Sequence, residues 1–334
     1  EESQPSRVGS AGKHRGVARP SQSWTRGDRS SHVISTGSSL DANRESLRSL
    51  TTVSIARLFS LEHHGPDTFV GSGYEYPWGG LFGGHIVAQA LVAAANTVDA
   101  SSPDHVLEPH SLRAYFIRRG DTAEPVRYEV DRIRNGKSFC TRRVVARQSN
   151  GAILNMDASF QIREDQRDVQ PIEFPLGLPD PDSIENSSWS EGFDRRWIEP
   201  GSTPRSGREG AGRAMSWFRA TEDLGDTQTV ESRLLHLCAL SYLSDDLPTD
   251  AVVRAHPDIS RRPDGQRNFQ GASLDHSIWF HRPVRSDQWH LHDFTCHSIG
   301  NSRGLSLGHI FSQDGVLVAT VAQEVLIRDL TPFT

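Results

Sequence analysis

The stretch HSLRAYF at residues 110–116 has a counterpart, HSIWFHR, at residues 276–282, 166 positions later. At the same offset the turn sequence NGKS at 135–138 corresponds to NSRG at 301–304, and after a slip of two residues Gly151 corresponds to Gly315. Solenoid units recur every few tens of residues, so a period this long indicates two similar domains in one chain. Two such domains favour an active site that is shared between the halves.

Both copies predict the same order of elements. For the first half, hydrophobic periodicity and turn residues predict a strand at 69–76, a helix at 85–98, and strands at 111–117, 126–134, 138–148 and 152–162. For the second half they predict a strand at 213–221, a helix at 230–244, and strands at 272–280, 289–299, 302–313 and 317–327. Both helices are apolar on most of their circumference, which is typical of a buried helix. Each sheet is therefore expected to wrap around its own helix.

Length, charge and cysteine content limit the class of protein. A chain of 334 residues is long enough for two hydrophobic cores. The net charge of −6 gives no basic surface for nucleic acid, and three scattered cysteines give no disulfide framework or zinc knuckle. No apolar run approaches the ~18 residues that span a bilayer. We therefore expect a soluble, cytoplasmic protein with no nucleic-acid partner and no membrane insertion.

Composition also divides the chain. Residues 1–50 are rich in Ser, Arg and Gly and poor in large apolar side chains, which predicts a disordered extension. The first sheet-wrapped domain is then expected at 51–166 and the second at 191–334. Prolines and acidic residues between them predict a linker at 167–190, and a Gly- and Arg-rich stretch at 200–212 predicts an exposed loop.

Four strings carry a resemblance to a known family: LFGG at 81–84, LDHSIWFHRP at 274–283, QDG at 313–315 and QE at 323–324. In this order they resemble the acyl-CoA thioesterase II (TesB-like) family. The resemblance implies an α+β double hotdog fold, with two tandem antiparallel sheets that each wrap around a buried helix. It also implies hydrolysis of acyl-CoA to free fatty acid and CoA, with no metal and no other cofactor. Exposed sheet edges lead us to expect a homodimer of double hotdogs or a higher homo-oligomer.

The resemblance places the reaction on three side chains that activate a water molecule: Asp245, Ser273 and Gln323. A carboxylate can accept a proton from water, while a hydroxyl and a carboxamide orient that water towards a carbonyl carbon. Gly83 and Gly84 open the first helix without side chains, so we expect them to bind the substrate by close approach. Backbone N–H groups at such a helix end can polarise the thioester carbonyl.

Several residues depart from the family pattern. His85 replaces the usual Gln, Val325 replaces the usual Gly, and the segment after Asp245 is polar. Asp246 is therefore an alternative for the catalytic carboxylate. The departures also keep open a second function, that of a non-catalytic acyl-CoA-binding or regulatory hotdog protein. We interpret Asp275 and His276 as structural residues that pair locally to hold their strand.

Two further patterns resemble other enzyme sites. The segment GNSRG at 300–304 matches the nucleophile elbow of α/β-hydrolases, but that motif requires a helix directly afterwards, and here a strand pattern follows. His290 and His292 alternate as zinc ligands on a strand can, but no cysteine or carboxylate cluster completes a set. We therefore predict neither a serine nucleophile nor a metal site. A hydratase would need an Asp–His pair near a helix N-terminus, and no such motif is evident.

Overall fold

The computed structural model describes residues 54–98, 106–199, 212–259 and 269–330. The predicted extension at 1–50 lies outside these residues, as does nearly all of the predicted loop at 200–212. The first half contains α1 Ile55–Leu58, β1 Leu61–His63, β2 Thr68–Gly71, α2 Gly83–Ala95, β3 Leu107–Phe116, β4 Val126–Asn135, β5 Phe139–Gln148 and β6 Gly151–Ile162. The second half contains β7 Phe193–Ile198, β8 Arg213–Ala220, α3 Val230–Ser244, α4 Leu247–Ala255, β9 Phe269–Ser273, β10 Asp275–Phe280, β11 His290–Gly300, β12 Arg303–Ser312 and β13 Leu317–Asp329.

The helix α2 is the centre of the first half. Its sequence is rich in alanine, the residue with the highest helix propensity, and ten of its thirteen residues are buried. The strands wrap around it as an antiparallel sheet in the order β1-β2-β4-β5-β6-β3. The predicted buried helix is thus confirmed, although it begins at Gly83 and ends at Ala95.

The second half has two helices instead of the single one predicted. The helix α3 spans the predicted residues 230–244. Directly after it, α4 was not predicted, because the sequence Asp-Leu-Pro-Thr-Asp at 246–250 resembles a turn. Proline is compatible with the first turn of a helix, where Pro248 lies. Leu247, Ala251 and Val252 are fully buried, and α4 packs against β8, β11 and β12.

The two predicted sheets are continuous with each other. β3 and β10 pair antiparallel, with Ile278 opposite Leu112, so that the strands of both halves form one sheet. The central helices pack together inside it, and Cys238 Sγ in α3 lies 3.7 Å from the carbonyl oxygen of Ala88 in α2. The first turn of α2 meets the C-terminal end of α3. This arrangement confirms the predicted double hotdog.

Two predicted strands are wrong in their extent. The strand predicted at 69–76 ends at Gly71, because the following aromatic side chains pack beside α2 instead of continuing the sheet. The strand predicted at 272–280 is divided at Leu274 into β9 and β10. At that point Leu274 N donates to the carbonyl of Glu324 at 2.9 Å, and its carbonyl accepts from Phe116 N at 3.0 Å. β1 and β7 were not predicted.

The segment predicted as a linker at 167–190 lies along the second half. Within this described stretch the only regular element is the 3-10 turn Pro181–Ser183. The ring of Phe174 packs edge-on against Phe311, with centroids 5.5 Å apart. Gln170 Oε1 accepts a hydrogen bond from Leu317 N at 2.8 Å, and Arg282 forms an ion pair with Asp168 at 2.6 Å. The domain boundaries proposed from composition remain a prediction.

The described part of the chain contains no helix with the length and apolar character needed to cross a membrane.

Candidate active site

The C-terminal end of α3 carries a buried carboxylate. Asp245 is the residue at which the helix ends, and 5% of its surface is exposed. Its Oδ1 accepts hydrogen bonds from Ser273 Oγ at 3.0 Å and from Gln323 Nε2 at 2.8 Å. Its Oδ2 accepts one from the backbone N–H of Gly84 at 2.9 Å. The three side chains predicted from the sequence therefore meet at one point, next to a predicted glycine.

Three elements of the second half position these side chains. Ser273 is the last residue of β9, which pairs with β13 so that Ser273 lies opposite Val325. Side chains alternate between the two faces of a strand, and in β13 the inward face carries Val321, Gln323 and Val325. Gln323 is consequently fully buried and points at the end of α3.

Gly83 and Gly84 form the contact between the two halves at this site. A Cβ at Gly83 would lie 2.5 Å from Asp245 Oδ2, and one at Gly84 would lie 2.2 Å from the carbonyl oxygen of Tyr242. Only glycine allows the helices to approach this closely. Phe82, the N-cap residue of α2, offers no side-chain acceptor, so Asp245 caps this helix from the other half.

Burial raises the pKa of Asp245 from 3.8 to about 6, although the hydrogen bonds from Gln323, Ser273 and Gly84 oppose the increase. A general base is most effective when its pKa lies near the working pH, because it is then ionised and still basic. At neutral pH this carboxylate satisfies both conditions.

The amide of Gln323 has a second partner. Its Oε1 accepts a hydrogen bond from Nδ1 of His276, whose Nε2 lies 2.9 Å from Ser244 Oγ. The expected local pairing of His276 with Asp275 is wrong, because adjacent residues of β10 face opposite sides of the sheet. Asp275 Oδ1 instead accepts from the backbone N–H of Glu324 at 2.6 Å.

Hydrogen-bond partners distinguish Asp245 from the neighbouring carboxylate. Asp246 accepts from Trp189 Nε1 and lies 3.0 Å from the guanidinium of Arg195. Burial raises its pKa to about 6 as well, although the charge of Arg195 opposes the increase. Ser273 and Gln323 bond to Asp245. The geometry therefore favours Asp245 as the carboxylate of the cluster.

Aromatic rings beside the cluster were not predicted. The ring centroid of Phe82 lies 4.9 Å from those of Trp189 and Tyr242, and Trp78 lies 5.0 Å from Trp189. Trp78 is 45% exposed, so this group of rings reaches from the buried site to the surface. These residues are distant in the sequence, which is why no local pattern connects them.

His85, a departure from the family pattern, has a structural explanation. Its Nδ1 accepts from the hydroxyl of Tyr76 at 2.8 Å, and its Nε2 donates to the carbonyl of Ser72 at 3.2 Å. Burial lowers the pKa of His85 to about 4, so the ring is neutral with its proton on Nε2. The side chain thereby fastens the segment before the Gly-rich loop to α2. A buried polar residue in an apolar helix needs hydrogen-bond partners. The position of His85 in such a helix therefore could have predicted polar partners like Tyr76 and Ser72.

The two resemblances to other enzyme sites are accounted for by the fold. Asn301 and Ser302, both with positive φ, form the two-residue turn between β11 and β12, so GNSRG is a hairpin and not a nucleophile elbow. His290 and His292 are buried, with ring centroids 5.0 Å apart. Over the described ranges, no three His, Cys, Asp or Glu side chains are placed to hold a metal ion.

The continuous sheet around two packed helices, with a buried carboxylate where the helices meet, defines the first class to which the chain belongs, the hotdog-fold proteins. Family models identify the branch of this class. Residues 74–161 match the model described as the acyl-CoA thioesterase N-terminal domain, and residues 166–327 match that of the C-terminal domain.

Individual proteins agree with the family models. Mouse acyl-coenzyme A thioesterase 8 is 34% identical, over 86% of this chain and 93% of that protein. Acyl-CoA thioesterase 2 of Haemophilus influenzae is 32% identical, over 82% and 96%. Acyl-CoA thioesterase II TesB2 from Mycobacterium marinum, known from its crystal structure, is 35% identical in sequence. The match covers 84% of this chain and 99% of that chain, with a TM-score of 0.70. The chain belongs to the acyl-CoA thioesterase family, and its class of enzyme is thioester hydrolase.

Proposed function

We propose that this enzyme hydrolyses acyl-CoA to a free fatty acid and CoA, and that Asp245, Ser273 and Gln323 activate the attacking water. The observation that carries the proposal is the convergence of Ser273 and Gln323 on one carboxylate oxygen of Asp245, at 3.0 and 2.8 Å. The raised pKa of Asp245 supports its role as the base. The family relationship supports the substrate class.

The chemistry balances on these groups. Asp245 takes one proton from water while the water oxygen attacks the thioester carbonyl carbon. The tetrahedral intermediate then collapses, the carbon–sulphur bond breaks, and the proton held by Asp245 passes to the thiolate of CoA. Ser273 Oγ has a lone pair left to accept one proton of the water, and Gln323, whose N–H groups donate to Asp245 and Ser273, keeps both of these side chains in place. The water is thereby held in line with the carbonyl, which removes the search for a reactive geometry.

The first turn of α2 is placed to stabilise the negative charge that develops on the carbonyl oxygen. The first N–H groups of a helix have no acceptor within the helix, and the helix dipole adds partial positive charge there. Asp245 engages the N–H of Gly84, which leaves that of Gly83 as the donor we assign to the carbonyl oxygen. The missing side chains of Gly83 and Gly84 allow the C-terminal end of α3 to approach this backbone, which brings the carboxylate of Asp245 next to the donor.

Water, and not Ser273, is the nucleophile in this proposal. Ser273 Oγ donates its proton to Asp245 and accepts from Gln323 Nε2, so the hydroxyl acts as a relay between two polar groups. A covalent mechanism would accumulate an acyl-enzyme, which mass spectrometry during turnover would reveal. We expect no such adduct.

A thiol-release assay over a panel of acyl chain lengths tests the function directly. We expect release of free CoA without added metal, and release that is roughly 10²–10⁴-fold slower from the Asp245→Asn variant under the same conditions. The alternative, a non-catalytic acyl-CoA-binding protein, predicts binding without release in the wild type as well. The cytoplasmic location and the homodimer of double hotdogs remain predictions.

A further inference from the structure

The amide of Gln323 can serve the site in only one orientation. Its nitrogen donates to Asp245 and Ser273, both at 2.8 Å. Rotation of the amide by half a turn exchanges its oxygen and nitrogen without moving other atoms. The reversed amide would place its oxygen against the ionised carboxylate, and the two oxygens would repel each other. This repulsion ends whenever Asp245 takes up a proton in the proposed mechanism, so a group outside the trio is needed to keep the amide in its orientation throughout turnover.

We infer that His276 is the positioning residue that holds the Gln323 amide with its N–H groups towards Asp245 and Ser273. The inference rests on the proposed function of the trio. His276 Nδ1 donates to Gln323 Oε1, and a donor at this position excludes the reversed amide, which would present a second donor to it. His276 is fully buried, so no water competes for this hydrogen bond.

The proton of His276 is itself held on Nδ1. A neutral imidazole has one donor and one acceptor nitrogen. Ser244 Oγ lies 2.9 Å from Nε2 and 2.8 Å from the carbonyl oxygen of Ser241, and its single proton can go to either acceptor. With the His276 proton on Nδ1, Nε2 is an acceptor, and the Ser244 hydroxyl donates to it. The polar chain therefore runs from Ser244 through His276 and Gln323 to Asp245, and its direction is set by the ionised carboxylate, which can only accept.

The ionisable groups around His276 do not disturb this arrangement. Burial lowers the pKa of His276 to about 4, so the ring is neutral at pH 7, although Gln323 and Asp275 oppose the decrease. Asp275, on the same strand, accepts from Glu324 N on the opposite face. Asp245, at the end of α3, is connected to His276 only through the amide of Gln323.

The internal repeat supplies a matched control. His110 occupies the position of His276 in the first half. Its Nε2 lies 2.8 Å from Ser159 Oγ, so it makes a comparable hydrogen bond to the neighbouring strand. In the described part of the chain, the residue at the corresponding helix end is Asn96 and not an aspartate.

The first test replaces each histidine by leucine and by asparagine. His276→Leu should lower kcat by about 10²-fold with little change in KM, since small misplacements of catalytic groups have effects of this size. Asparagine can place its amide N–H at the position of Nδ1, so His276→Asn should retain most of the wild-type kcat. His110→Leu and His110→Asn should leave kcat unchanged.

The pH profile separates positioning from a general loss of structure. The hydrogen bond from Gln323 Nε2 is one of those that lower the pKa of Asp245. When the amide is no longer held, this hydrogen bond is lost, and the acid limb of kcat should move to higher pH in His276→Leu. His276→Asn should move it back. A purely structural role would reduce the amount of folded enzyme without moving the limb.

A double variant decides whether His276 acts through Gln323. In a Gln323→Leu background, His276→Leu should cause no further loss of kcat; an equal loss in both backgrounds would overturn the inference. If His276→Leu does not fold, Ser244→Ala tests the same chain, because it removes the hydroxyl that keeps the proton on Nδ1. Wild-type kcat and pH profile in a folded Ser244→Ala enzyme would then contradict the inference. Turnover retained in both Asp245→Asn and Asp246→Asn would instead overturn the proposed mechanism of the trio.

Discussion

The two ends of the central helix pair share their architecture and differ in their chemistry. At one end α3 terminates at the buried Asp245, and β13 brings Gln323 to it. At the other end α2 terminates at the exposed Asn96, and the repeat places Ser159 at the position of Gln323. Among the residues that the structure describes, the hydroxyl of Ser159 has one side-chain hydrogen-bond partner, Nε2 of His110 at 2.8 Å. The duplicated fold thus provides two comparable contacts between a helix end and the strands beside it, here called seams, and one of them carries the groups that we propose to be catalytic.

The starts of the two helices differ in a corresponding way. α2 has no side-chain cap of its own and takes Asp245 from the other half. α3 has a local cap, because Thr229 Oγ1 accepts from Ser232 N at 3.1 Å. Beside the start of α3 lies an open pocket of about 320 Å³, across which Arg233 pairs with Glu108. A locally capped helix does not need a carboxylate from its neighbour, and none of the residues that the structure describes up to Val98 supplies one at that end of α2.

The largest effect should come from exchanging the residues at the two helix ends. Asp245→Asn keeps the shape but removes the base, so kcat should fall by roughly 10²–10⁴-fold while acyl-CoA binding survives. Asn96→Asp, the reciprocal change, should leave thiol release at the wild-type rate, because the other seam has no amide partner. Full activity in Asp245→Asn together with loss in Asp246→Asn would move the assignment by one residue. Activity in both would remove the basis of the mechanism.

The next effect concerns Gln323 and its counterpart Ser159. Gln323→Ala should lower kcat by about 10²-fold, a typical loss for one hydrogen-bond donor in an active site. Ser273→Ala should act on the same water, so the double variant should lose less than the two single losses combined. Ser159→Ala should have wild-type kcat. Additive losses in the double variant would show that the two groups act on separate steps.

A smaller effect is expected from pH. Since the base must be ionised and burial raises its pKa to about 6, kcat should be constant above that pH. Below it, kcat should fall roughly tenfold for each pH unit as Asp245 becomes protonated. Steady-state rates between pH 4 and 8 measure this limb, and Asp246→Asn is the control that should leave it in place. If the midpoint of this acid limb lay near the ordinary pKa of an aspartate, the carboxylate would be hydrated and not buried.

The smallest effect is expected at the pocket of the other seam. Arg233→Met removes the part-buried ion pair with Glu108 and the hydrogen bonds from Arg233 to the carbonyl oxygens of Thr227 and Gln228. The free energy of unfolding should fall by about 1.5–3 kcal/mol, the range for hydrogen bonds made by a charged group. Turnover should be unchanged. A clear loss of kcat in Arg233→Met, measured at a temperature where the variant is folded, would mean that the second seam takes part in the reaction.

The repeat made much of the fold predictable. Alternating strands and apolar helices predict two sheet-wrapped helices, and the trio followed from the family resemblance. The helix α4 was missed because Pro248 resembles a turn residue, although proline is compatible with a first helical turn. The role proposed for His276 was not predictable, since it depends on the pairing of β10 with β13, which places Ser277 opposite Ala322. Local pattern does not encode a register between distant strands.

The cap that Asp245 provides for α2 couples the reaction to the cohesion of the two halves. An ionised carboxylate is a stronger hydrogen-bond acceptor than a neutral carboxylic acid. In the proposed mechanism the contact with Gly84 N therefore weakens each time Asp245 takes a proton from water, and it recovers when that proton leaves with the thiol. The hydrogen bond that joins the two halves at this point is thus expected to weaken and strengthen once per turnover.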